Sequence, residues 1–255
     1  MRIFPRFDIL GSPLLALWGA GLLAAEWLRP RRPNTPRWPR YRTQLALGVL
    51  SAAVERGLVV PALVSAAALA QRKRWGLFRR LQPGAARGIC EIVALDLGMY
   101  AWHRMSHRLG PFWRFHAVHH SDLALDLTTA PRLHIGELLA SIPVRSAQII
   151  LLGARPGSVL AYELLMQAAA LFHHSNLAGG DALSRLLMTP KLHTRHHAVL
   201  AAERDVNWGI VLSVWDRLFG SFAEQPARDP RLGIEAVREP LEAFRLWTLP
   251  AKLDQ

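Results

Sequence analysis

The residues of this chain best suited to chemistry are its 11 histidines, all of which lie between His103 and His197. His103 and His107 are four positions apart, which on a helix stacks their imidazoles on one face. His116, His119 and His120 form H-x-x-H-H, and His193, His196 and His197 repeat the pattern. Scattered surface histidines rarely fall into three such spacings beside apolar segments. Eight imidazoles suffice for two metal ions at four ligands each, and His134 and His174 raise the candidate set to ten. All-nitrogen ligation suits iron, zinc, copper or nickel, whereas magnesium and calcium prefer oxygen.

Other sites of metal or nucleophile chemistry are poorly supported. Cys90 stands alone, so no disulfide framework, cysteine metal site or redox pair is possible. The zinc-peptidase pattern H-E-x-x-H is absent, because Arg104, Met105 and Ser106 separate His103 from His107. Metal-bound imidazoles need their second nitrogen held, which makes Glu137 the first candidate partner and Asp122, Asp126, Asp205 and Asp216 the next. Asp96 shares a helical face with Tyr100, His103 and His107, but lies about 10 Å from His103 along the axis. It is expected to bind another helix or a histidine from a different group, first of all as structural support.

Several apolar segments must position these groups. Ile9 to Leu28 is long enough to cross a bilayer, with Glu26, Trp27 and Arg29 at its end. A cleaved signal peptide is the competing reading of that run. Arg29 to Arg42 is rich in arginine and proline and reads as a surface connector. Gln44 to Gln71 is apolar but interrupted by Glu55, Arg56 and Pro61, compatible with one bent span or a re-entrant pair. Gly88 to Trp102 leads directly into His103. Ile135 to Leu152 and Ser158 to Phe172 flank the turn Gly153-Ala-Arg-Pro-Gly157, a helical hairpin that allows the histidine groups to converge on one membrane face.

The expected fold is therefore all-α, a polytopic membrane helical bundle with a histidine-rich metal site at one face. Residues 1–87 supply N-terminal membrane helices and basic connectors, 88–222 the core that holds the metals, and 223–255 a C-terminal surface tail. The 31 Lys and Arg against 19 Asp and Glu sit in blocks beside apolar segments. Anionic lipid headgroups suit that pattern better than nucleic acid. Trp102, Phe112, Trp113 and Phe115 are expected first as interfacial anchors and second as the lining of a lipid channel.

At these residues the chain resembles the fatty acid hydroxylase and sterol desaturase superfamily of di-iron membrane oxygenases. The resemblance rests on Asp96-Leu-Gly-Met-Tyr-Ala-Trp-His103-Arg-Met-Ser-His107, His116-Ala-Val-His119-His120-Ser121 and Arg132-Leu-His134-Ile-Gly-Glu137. It continues through Phe172-His-His174-Ser-Asn176, His193-Thr-Arg-His196-His197, Asn207-Trp-Gly209 and Trp215-Asp216-Arg-Leu-Phe219-Gly220. Ile135 stands where proline is frequent in the family, and Ser221 where threonine is. Neither departure removes a ligand. The resemblance implies His103, His107, His116, His119, His120, His134, His174, His193, His196 and His197 as ligands of two iron ions. It leaves His173 outside the set and adds Asn207 to Glu137, Asp122 and Asp216 as supporting residues.

The implied activity is oxygen-dependent hydroxylation or desaturation of a sterol, fatty acyl or related membrane lipid. O2 would be the co-substrate. A separate ferredoxin- or cytochrome-type protein would donate electrons, since no further histidine pair exists to ligate a haem. The protein is expected to be an integral, multi-pass membrane protein with its histidines on the cytoplasmic face. The alternatives are a non-catalytic membrane metal-binding or transport protein and a zinc hydrolase. The first would spread ligands across the bilayer depth, and the second lacks its glutamate base.

Overall fold

The computed structural model describes residues 4–33, 38–178, 182–224 and 229–253, with side chains described from residue 13 onwards. Among the described residues the elements are helical, and the only β-pairing consists of two isolated bridges, Leu187 with Leu212 and Ala198 with Leu232. Helix α1 spans Phe4–Leu28, α2 Trp38–Val54, α3 Val60–Lys73, α4 Ala85–Arg108 and α5 Gly110–His120. A hairpin of α6 (Ile135–Leu152) and α7 (Pro156–His174) follows. The short helices α8 (Pro190–His196), α9 (Ala201–Arg204), α10 (Val214–Leu218) and α11 (Ala243–Thr248) complete the fold.

Helices α2 and α3 form one 36-residue rod joined by a π-helical turn at Glu55–Val59. This decides between the bent span and the re-entrant pair: the chain does not turn back. Pro61 lies one turn further on and has no amide hydrogen to donate, and a wider local turn accommodates that loss. The α6–α7 hairpin forms as the turn residues dictate. Gly153 closes α6 with a left-handed φ of 65°, and Pro156 starts α7 at a position where its missing N–H costs nothing.

The α6–α7 reversal places the C-terminus of α4, the N-terminus of α6 and the C-terminus of α7 at the same end of the bundle. All histidine groups therefore meet there. The opposite end is tied by ions: Arg87 Nε donates to Glu91 at 2.8 Å, and Arg155 Nε donates to the same carboxylate at 3.0 Å. Between the two ends, Val59, Leu63, Ala67, Leu95, Ile149, Val159 and Tyr162 form the main core.

Two described helices are long and apolar enough to cross a membrane, Trp38–Lys73 and Ile135–Leu152. The apolar part of α1 with described side chains, Pro13–Leu28, is shorter, and α4 and α7 are not among the two. Both carry buried acids, Glu91 and Asp96 in α4 and Glu163 in α7. Leu17, Leu45, Val49, Leu58, Val93, Val144, Leu151 and Leu165 are exposed on the outside of the helices. Such a belt suits a hydrocarbon solvent.

The C-terminal segment differs from the expected surface tail. Ile234, Val237, Leu246 and Leu249 are buried against Leu47, Ala117 and Val118, forming a second core between α2 and α5. The apolar patches were too short to span a membrane but sufficient to cover the helix that carries His116 to His120. Trp102 is also buried, against Phe112, and so is not an interfacial anchor.

Gly76 and Gly153 touch so closely that a Cβ on Gly76 would lie 2.0 Å from the Gly153 nitrogen, and Gly76 has a φ of 98°. Gly57 has open space around it. Gly76→Ala is therefore expected to lower the thermal unfolding midpoint of the detergent-solubilised protein, by a loss of about 2–3 kcal/mol. Gly57→Ala should leave the midpoint unchanged or raise it, by at most about 1 kcal/mol.

Candidate metal centre

Nine of the ten expected ligands form two neighbouring buried groups. His103, His107, His116, His120 and His196 compose one, and His119, His174, His193 and His197 the other. Within each group the ligating nitrogens all lie within 4.8 Å of one another. Helix α4 supplies its pair from one face of its last two turns. Helix α5 splits its triplet between the groups, and the end of α8 does likewise. The rings of His120 and His197 stack at 4.2 Å where the groups adjoin.

In the five-histidine group the Nε2 atom of His103 lies 3.2 Å from Nε2 of His116 and 3.0 Å from Nε2 of His196. Each of these rings already places its Nδ1 proton elsewhere. His103 donates to the Trp208 carbonyl, His196 to the Val206 carbonyl and His116 to Glu137, at 2.9, 2.9 and 2.7 Å. A carbonyl can only accept, so the facing Nε2 atoms hold lone pairs. In the second group His174 donates Nδ1–H to the Ala170 carbonyl and turns Nε2 toward His119 and His193, at 2.9 and 3.0 Å. His107 and His120 have no hydrogen-bond partner on either ring nitrogen. Converging lone pairs without protons between them call for cations.

The donor set fits transition-metal ions. With a metal–nitrogen bond of about 2.1 Å, nitrogens of a six-coordinate ion are about 3.0 Å apart, and those of a tetrahedral ion about 3.4 Å. The nearest observed separations, 2.9–3.2 Å, are those of nitrogens close enough to share one ion, in groups no wider than 4.8 Å. The five donors of the first group overfill the closed tetrahedral sites in which zinc is usually held, whereas the four of the second would fill one.

A loop strap, residues 206–212, fixes much of this centre. The alternate carbonyls of Val206, Trp208 and Ile210 accept Nδ1–H from His196, His103 and His173. Two carboxylates hold the strap from behind. Asp216 accepts from the backbone N–H groups of Trp208 and Gly209, both at 2.8 Å, and from the Ser221 hydroxyl at 2.7 Å. Asp96 accepts from Val211 N, Leu212 N, Trp215 Nε1 and the Tyr162 hydroxyl. Asp96 thus supports the centre through the strap, without touching a ligand. Asn207 has a left-handed φ of 56°, and its side chain bonds the Leu192 carbonyl and both backbone groups of Ala223.

The remaining candidates divide. Glu137 touches a ligand ring directly. Asp205 lies 3.7 Å from His107 Nδ1, beyond direct hydrogen-bond distance. Asp122 does not reach an imidazole. Its carboxylate is bound by Arg40 at 2.8 Å, by Gln44 and by Thr129, and Asp126 also pairs with Arg40. His134 is not brought into either group. It caps α6, with Nδ1 accepting from Gly136 N and Nε2 facing the Trp247 carbonyl at 3.2 Å. A ring committed on both sides has no lone pair left for a metal. His173 lies outside the groups, packed on His193 at 4.0 Å between ring centres.

Burial first, and neighbouring imidazoles second, hold His119, His120, His193 and His197 well below the ordinary value of 6.5. They are neutral, as ligands must be. Burial raises Asp216 to about 6, against the opposing effect of its hydrogen bonds. Asp122 stays below its usual range: burial would raise it, but Arg40 outweighs that effect.

A cavity of about 430 Å³ opens onto both groups. His103, His116, His119, His174 and His193 form one wall, with Trp102, Met99, Leu133, Leu138 and Met166 along its length. Reasoning from the sequence missed the carbonyl strap and the cavity's charged residues. The Asn-Trp-Gly motif was the only sign of the former.

The model of the fatty acid hydroxylase family matches residues 89–221, just over half of the chain. The chain is 32% identical over 145 residues to ornithine lipid hydroxylase OlsE of Rhizobium tropici, covering 56% of this chain and 44% of that protein. It is 30% identical over 159 residues to alkylglycerol monooxygenase of Danio rerio, covering 62% and 34% respectively. The human alkylglycerol monooxygenase is 31% identical over 132 residues. The chain thus spans less than half the length of these curated relatives. No solved structure matches it at a significant level.

His120→Ala is expected to lose metal from the five-histidine group, and His134→Ala to keep full metal content, as read by elemental analysis of the purified protein. Acid should act in a defined direction. Below about pH 6.5 the unfolded chain gains protons that the buried histidines refuse, so stability and metal content fall together. Above that pH both should be flat, a contrast measurable by thermal unfolding and metal analysis at pH 7.5 and 5.5.

Proposed function

We propose that this chain, which belongs to the fatty acid hydroxylase family, is a multi-pass membrane oxidoreductase that hydroxylates or desaturates a lipid at a two-iron centre. The observation that carries this reading is the meeting of two all-histidine groups with one largely apolar cavity. The relatives' names point the same way, being a lipid hydroxylase and a monooxygenase. Ligands gathered at one end of the helices do not trace a transport path across the bilayer.

Iron, when bound by the nine histidines, supplies O2-dependent oxidation of an unactivated C–H bond, which no ordinary side chain performs. Everything else falls to the chain. His103, His116 and His196 are held in one tautomer by Trp208, Glu137 and Val206, so their lone pairs are preorganised. Met99, Leu133, Leu138 and Met166 line the approach and exclude water from the substrate carbon. Glu137 has a second carboxylate oxygen, Oε2, that is buried without a hydrogen-bond partner. It lies on the cavity wall and is placed to hold a proton or a water beside His116. Electrons come from a separate ferredoxin- or cytochrome-type protein. The basic connectors are suited to anionic headgroups, with the histidine end of the bundle on the cytoplasmic side.

Cells producing the intact protein under 18O2 should accumulate a lipid that is heavier by one oxygen or has lost two hydrogens. Cells producing the His196→Ala, His197→Ala variant should lack it. Identical lipid profiles by mass spectrometry would remove this reading.

A further inference from the structure

The end of the cavity away from the histidines is charged. Glu55, Arg56 and Arg145 line it, with Ser51 and Ser141 one helical turn nearer the histidines, at the middle of the two helices that are long and apolar enough to cross a membrane. Ionisable groups at that depth are costly and are kept where they have work to do. Arg145 is 6% exposed and pairs with Glu163 of α7, which is 1% exposed. That pair alone would tie α6 to α7. Glu55, on a different helix, is not needed for the tie.

Glu55 also begins the π-helical turn, the one departure from regular α geometry between Trp38 and Lys73. Single π-turns within α-helices recur at functional sites because they re-aim side chains. Here the turn coincides with the residue that lines the cavity. Ser51 and Ser141 donate their hydroxyl protons to the Leu133 and Leu138 carbonyls, so toward a ligand their oxygens can only accept. The Arg145 guanidinium can only donate, and the Glu55 carboxyl accepts on at least one oxygen in either protonation state. Acceptors and a donor side by side are poorly served by a purely apolar chain, or by an ester or ether, which has no proton to give.

We propose that this polar end of the cavity binds an uncharged group of the substrate that both donates and accepts hydrogen bonds, an amide or a hydroxyl. The distance follows from α6: Glu137, at the metal centre, and Arg145 are separated by about 12 Å of helical rise. The selected lipid carries its polar group about that far from the carbon presented to the histidines. That the ligand is a lipid rests on the function proposed above.

The test uses the full-length protein in nanodiscs and two uncharged synthetic probes of equal chain length, an N-acyl amide and the corresponding ester. Binding is measured by calorimetry, and oxidation of each probe is followed separately. The amide should bind at least about tenfold more tightly, the effect of one hydrogen bond to a charged group. Glu55→Gln, whose side-chain amide can itself donate to the ester, should reduce that ratio to below about threefold, with thermal unfolding confirming that the variant is folded. Equal affinity of the two probes for the unaltered protein overturns the proposal, whatever the variant does. Selective amide binding with no oxidation of either probe supports this site and counts against the lipid-oxidation reading. Oxidation of both with equal affinity does the reverse.

Discussion

Nine buried imidazoles crowd into two groups, and a cation in each would relieve the lone pairs that converge there; this constraint governs the rest of the molecule. Protonating the rings would relieve lone-pair repulsion only by packing positive charges in a dry interior. The fold removes that escape in part by assigning protons to the outward nitrogens. Trp208, Val206, Ala170 and Glu137 each take one Nδ1–H, leaving the inward nitrogens as acceptors. The metal centre is thus prepared by backbone carbonyls as much as by its ligands.

Those carbonyls must themselves be held. The strap at 206–212 bends at Asn207, which has a left-handed φ of 56°, and presents the carbonyls of Val206, Trp208 and Ile210 to three histidines. Asp96 and Asp216 anchor the amides of the same segment from behind. A chain of support therefore runs from two buried acids through a loop to the tautomers of three rings. Tyr100 extends it, donating to Ser221, whose hydroxyl in turn donates to Asp216.

The helices serve a second purpose by leaving a cavity between α1, the α2–α3 rod and the α6–α7 hairpin. One wall is imidazole, the middle is aliphatic, and the far end is charged. The oxidation of unactivated carbon proposed for this centre would need such a channel, because selectivity cannot come from the reactivity of the C–H bond. It must come from where the chain places the ligand.

Much of the centre is legible in the sequence because helical geometry is local. Spacings of three and four residues fix which imidazoles share a face, and the Gly153–Gly157 turn dictates that α7 returns to the end where α6 began. Those two facts bring nine histidines together before any long-range contact is considered. Spacing cannot tell whether a ring nitrogen is already spent. His134 belongs to a matching motif, yet the first turn of α6 and the Trp247 carbonyl occupy both its nitrogens. Nor can a single sequence reveal that Asp122 faces Arg40 across 82 positions, or that Glu55, Arg145 and Glu163 share one depth. Local periodicity determined which residues could be ligands, and tertiary packing alone decided which lone pairs were free to act, because hydrogen-bond partners are chosen in space.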